Sequence, residues 1–159
     1  MSKPLLTVVA AACALAAPAL AHSRQVSLSA QLKNYGGDGA YLAVYPGPTP
    51  RGVRLHAVGG GRQAPGYHKH LSDWNRLSAG DAKRLNGVTG ASVGAGRSLK
   101  VTADLADALI DAGYEVRIDA AVEDMRDSPS EVRVPLSTSN VGKPQAGKQY
   151  IQSLTFQLQ

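Results

Sequence analysis

Apolar side chains recur at every second position over several short stretches of this chain, the spacing expected where one face of a strand is buried and the other is wet. Val26, Leu28, Ala30 and Leu32 form the first such set. In AYLAVYP, residues 40–46, Tyr41, Ala43 and Tyr45 face opposite to Leu42 and Val44, and a third strand is expected in GVRLHAV, residues 52–58. RSLKVTA, residues 97–103, resumes the pattern. The clearest amphipathic strand is YEVRIDAAV, where Tyr114, Val116, Ile118, Ala120 and Val122 alternate with Glu115, Arg117, Asp119 and Ala121. EVRVPL, residues 131–136, and QYIQSLTFQL, with Tyr150, Leu154, Phe156 and Leu158 on one side, complete the set.

Glycine and proline clusters separate these stretches. Leu71, Trp74 and Leu77 are spaced to share one face of a short helix or structured loop near residues 70–84, expected to plug one end of the core. LADALIDAG, residues 105–113, reads as one helical turn closed by Gly113 or as a loop. About seven short strands with turns between them predict an all-β fold, an immunoglobulin-like two-sheet sandwich.

The first 21 residues break this pattern. Lys3 precedes an apolar run from Leu5, and Ala19-Leu20-Ala21 offers the small residues that a signal peptidase accepts. A signal peptide over residues 1–21 and a single β-sandwich domain over 22–159 are therefore expected, with a periplasmic or secreted product that starts at His22. Pro18 and the polar stretch after Ala21 end the apolar run near the length of about 20 residues that a membrane span needs, so no integral segment is expected after cleavage. The one cysteine, Cys13, goes with the signal, which leaves packing rather than a disulfide to hold the fold.

The formal charge of +5 conceals a segregation: residues 22–100 carry 11 Lys or Arg and 3 acids, and residues 104–131 carry 9 acids and 2 Arg. Two oppositely charged, solvated faces are the expectation. No nucleic-acid module accompanies the basic part, so no nucleic-acid partner is expected. There is no nucleophile elbow, no P-loop and no paired-cysteine zinc spacing, and the chain does not read as an enzyme.

The segment LNGVTGASVGAG places Asn86, Thr89, Gly90 and Ser92 in an open stretch of small residues. Two readings apply to it: a turn in which glycines supply positive φ, or a hydroxyl presented to another protein's active site. A second candidate constellation is His22, His68 and His70, whose nitrogens suit copper, with solvated histidines as the plainer reading. Asp119 and Glu123, four apart on a strand, are about 13 Å apart at the spacing of extended chain. That is too far for an acid–base pair, and solvated or cross-strand paired acids are expected.

Tyr67, Leu71 and Trp74, then NGVTGAS, then AGYEVRIDAAVE, then SLTFQL resemble in that order the exported domain-of-unknown-function 2271 family. Its pattern is an aromatic with Leu and Trp, a D-G-x-[ST]-G-A-T segment, and an A-G-x-Y strand ending in E-A-A-x-E. Gly87, Thr89, Gly90 and Ala91 match the second part; Ala112, Gly113, Tyr114, Ala120, Ala121 and Glu123 match the third. The resemblance implies an accessory or electron-carrying protein that accompanies membrane PepSY reductases and FAD:protein FMN transferases. It also implies FMN joined by a phosphoester to the last hydroxyl of the acceptor segment, here Ser92. Asn86 stands where the pattern has an acid, Ser92 where it has Thr, and Val122 where a basic residue is expected.

Overall fold

A computed structural model describes residues 22–47, 56–58, 69–77 and 92–159. Alternation in the first strand, β1 (Ser23–Leu32), buries Val26, Leu28, Ala30 and Leu32 and leaves the serines and glutamines between them in contact with water. It lies at the centre of a three-stranded antiparallel sheet, between β4 (Ser98–Ala106) and β7 (Ile151–Leu158). Register keeps the apolar rows together, with Leu28 opposite Val101 on one side and Phe156 on the other.

The second sheet has four strands in the order β3 (His56–Val58), β2 (Ala40–Gly47), β5 (Glu115–Val122) and β6 (Ser128–Pro135). Its inner face brings Leu42, Val44, Val116, Ile118, Val132 and Val134 against the first sheet, and these residues form one buried core with Leu154 and Phe156. Each such side chain contributes about 1.5–3 kcal/mol through removal from water. The expected two-layer, mainly β sandwich is thus observed. Among the described residues the last strand, β7, takes the edge beside β1, and this order does not establish the immunoglobulin-like type of sandwich.

Two expectations are corrected. Leu71 and Trp74 do not plug an end of the core. Helix α1 (Ser72–Leu77) lies on the outer face of the second sheet, where Leu71 and Trp74 pack with Ala43, Tyr45 and Ala121 in a second buried cluster. The physical reason is that the outer row of β2 and β5 is apolar at Ala43, Tyr45 and Ala121, and an apolar row must be covered. The acidic segment, in turn, is not one solvated face: Asp119 and Glu131 are fully buried, and Glu115 is held by Arg117 and Arg133. A 3-10 turn, Asp107–Leu109, followed by Gly113 at φ +83°, connects β4 to β5.

The expected signal peptide over residues 1–21 lies outside the described residues, as do 52–55 of the third predicted strand and 78–84 of the predicted helix or loop. Among the described residues no helix is long and apolar enough to cross a membrane.

Candidate functional site

β1 ends, β2 begins, β5 ends, and β4, β6 and β7 begin at one end of the sandwich, which therefore gathers residues 33–39, 92–97, 123–127 and 145–150. Backbone bonds tie these loops to one another. Lys33 N donates to Tyr150 O at 2.8 Å and Gly96 N to Lys33 O at 3.0 Å, while Ala40 and Val93 exchange two bonds of 2.8 and 2.9 Å.

That last exchange fixes the chain next to Ser92, which is exposed. Ser92 leans on Gly39: a β-carbon at Gly39 would stand 2.5 Å from Ser92 Oγ and 2.8 Å from its Cβ. Glycine is required there because the serine side chain already occupies the space. Of the other candidate acceptor-segment residues, Asn86, Thr89 and Gly90 lie outside the described residues.

Beside Ser92 the loop of residues 33–39 and the β5–β6 turn bring an aromatic and a thioether together. A β-carbon at Gly37 would come within 2.6 Å of Met125 Sδ and 3.4 Å of the Tyr35 ring. Tyr35 stands edge-on to Tyr150, with centroids 5.0 Å apart and planes at 75°. Its hydroxyl donates to Asp38 O at 2.7 Å, and the Tyr150 hydroxyl donates to Arg126 O at 2.5 Å. Burial pushes both phenols above their ordinary pKa, so both remain donors at neutral pH. Met125 is 37% exposed.

Two buried carboxylates hold the backbone around this end. Glu131 accepts three successive backbone N–H groups, from Gln149, Tyr150 and Ile151, at 2.7–2.8 Å, and also the Ser128 hydroxyl. Asp119 accepts from Tyr45 Oη at 2.8 Å, Trp74 N at 2.8 Å and Ser130 N at 2.7 Å. It thereby joins α1 to the β5–β6 hairpin and pins Ser130, whose φ of 45° would otherwise be unfavourable. Burial, then the nearby Asp119, pushes the Tyr45 phenol well up, which keeps it a donor. Of the two expectations for Asp119, the solvated one is corrected, since α1 seals it from water, while pairing across strands is what Tyr45 on β2 and Ser130 on β6 provide. Glu123 is exposed and lies in the turn past the end of β5, so the two acids do not share a strand face.

His22 and His70 are not brought together. His22 immediately precedes β1 at the far end of the sandwich, where its carbonyl accepts from Asp107 N at 2.9 Å. His70 sits at the loop end, with Nδ1 2.9 Å from Asp127 Oδ2. β1 alone, 10 residues long, separates the two ends by roughly 30 Å, so one ion cannot take both. His68 lies outside the described residues, and among the described residues no group of three or more His, Cys, Asp or Glu is placed to hold a metal. An apolar cleft lined by Leu28, Val44, Val101 and Leu105 has about 20 Å³ of room, enough for about one water and not for a cofactor.

The sequence pointed to Ser92 and missed Gly39, Tyr35, Met125 and Glu131 around it. Alternation carries no information on which loops meet at a sandwich end.

A family model described as predicted periplasmic protein (DUF2271) matches residues 23–153. No curated protein and no solved structure matches the chain.

Proposed function

The chain belongs to this family and is a periplasmic protein, and on that premise we propose that it is a redox accessory module that carries FMN covalently on Ser92. Its partners in this reading are a membrane PepSY-type reductase and the FAD:protein FMN transferase that loads it. The observation that carries the reading is the placing of Ser92: exposed, next to the NGVTGA segment, and supported from below by a glycine.

Loading is a group transfer. Ser92 Oγ bonds to the FMN-side phosphorus of FAD, the bond from that phosphorus to the bridging oxygen breaks, and AMP departs with the electron pair. The hydroxyl proton passes to a base of the transferase. What this chain contributes is presentation: the paired bonds between Ala40 and Val93 hold the backbone beside Ser92, and the absence of a side chain at Gly39 leaves room for the serine side chain. The attached flavin would supply the electron chemistry, and the protein its placement and electrostatics.

Co-expression with a periplasmic FMN transferase tests this. Ser92→Ala is expected to abolish the adduct, Thr89→Ala to reduce it less, and Asn86→Asp to raise the yield. An unmodified wild type and an unmodified Asn86→Asp chain beside a working transferase and a modified control substrate would refute the proposal.

A further inference from the structure

The geometry points to a seat for the flavin ring: we propose that Tyr35 and Met125 form the surface on which the isoalloxazine of an FMN at Ser92 rests. This rests on the acceptor role proposed for Ser92. Met125 is a large hydrophobic residue exposed at the tip of the β5–β6 hairpin, among Glu123, Asp124, Arg126 and Asp127. A thioether adapts its shape to a flat ring and makes favourable contacts with aromatic edges.

Its position is fixed. Met125 N donates to Val122 O at 3.2 Å, and its sulfur lies over Gly37, where no β-carbon fits. The Tyr35 ring borders the same glycine, oriented by its bond to Asp38 O and by its edge contact with Tyr150. Tyr150 is in turn fixed by Arg126 O and by Glu131, which accepts its backbone N–H at 2.7 Å.

The reach is right for a tethered flavin. Ser92 Oγ stands over Gly39 and Met125 Sδ over Gly37, two residues along the same loop, a step of at most about 7 Å. A five-carbon ribityl phosphate would be long enough to cover that step and bring the ring to Gly37, which Met125 Sδ and the Tyr35 ring border. There it meets sulfur and phenol together.

Two arms separate the seat from the acceptor. In the first, the full chain is loaded by an FMN transferase, loading is read by intact mass, and flavin fluorescence is compared before and after proteolysis. In the second, a Cys13→Ala, Ser92→Cys chain is alkylated with a thiol-reactive flavin, which bypasses the transferase. A phenol against the ring donates an electron to the excited flavin, so emission is expected to be several-fold lower in the folded protein than after digestion. Tyr35→Phe should restore most of it when emission is compared per flavin bound, and Met125→Ala should increase quenching by added iodide. No loading in the first arm with Tyr35-dependent quenching in the second would end the acceptor role and leave the seat. Emission as bright as the digest in both arms, or quenching indifferent to both substitutions, would overturn the seat and leave Met125 an isolated surface hydrophobe.

Discussion

Replacing Asp119 by asparagine changes one buried oxygen to an amide and keeps the shape. Oδ1 serves Tyr45 Oη and Ser130 N, and Oδ2 serves Trp74 N. An asparagine that keeps its oxygen toward the first two turns its NH2 at the Trp74 N–H, donor against donor. An orphaned buried N–H costs about 1–3 kcal/mol, and the two retained bonds each lose about 1 kcal/mol when the acceptor is no longer charged. Relief of the buried charge's desolvation offsets part of this. The expected loss is about 2–4 kcal/mol, a large fraction of a domain's usual stability.

The assay is urea unfolding followed in parallel by circular dichroism and by tryptophan fluorescence. Trp74 is the chain's one tryptophan and sits in the affected cluster. Its emission should shift at lower urea than the loss of β signal, because α1 loosens from the outer face before the sandwich opens. Tyr45→Phe, which removes one donor, should cost less, about 0.5–1.5 kcal/mol. A midpoint for Asp119→Asn within about 0.5 kcal/mol of wild type, the range of an ordinary surface change, would refute the reasoning.

Glu131→Gln should cost about 2–3 kcal/mol by the same unfolding assay: the three backbone bonds to Oε1 each lose about 1 kcal/mol with the charge, an amide nitrogen in place of Oε2 can donate to Ser128 Oγ but faces the Gln149 N–H 3.0 Å from that oxygen, and relief of the buried charge offsets part of the loss. Gly39→Ala forces a β-carbon against Ser92 Oγ and should reduce FMN loading several-fold, read by intact mass, while stability stays within about 1 kcal/mol. Stability should be flat at neutral pH and fall in acid. The Ser130 hydroxyl lowers the pKa of Asp73; at Glu115 burial raises it, but Arg133 and Arg117 outweigh burial and the net shift is down. Depressed folded-state values give stability that is complete above the unfolded values of about 3.9 and 4.3 and is lost as pH falls through the lower folded ones. Asp73→Asn and Glu115→Gln should each flatten that acid limb in urea titrations at successive pH values.

Strand content was legible because alternation is a local property. Val26 to Leu32 and Val116 to Val122 read directly as inner rows, and they are. Asp119 was misread for the same reason: on a strand, a polar residue between apolar ones looks wet, and nothing within the strand shows that α1, 45 residues away, covers it. One signal was present. Ala43 and Tyr45 on β2, with Ala121 on β5, make the supposedly wet row apolar at one end, so a lid over that face was required. Ser92 was reached through its neighbours in sequence, but its support was not. Gly39 and Tyr35 on the loop of residues 33–39 and Met125 on the β5–β6 turn meet only once the sandwich closes, and Glu131 reaches the start of β7 through backbone donors that leave no trace in residue type.

Intact mass of the full chain recovered from the periplasm beside an active FAD:protein FMN transferase decides whether Ser92 is the flavin acceptor. The expected wild-type mass is raised by one FMN less one water, with the adduct mapping to the peptide that contains Ser92 and absent from Ser92→Ala. A wild-type mass with no addition, or an adduct that persists in Ser92→Ala, would contradict it.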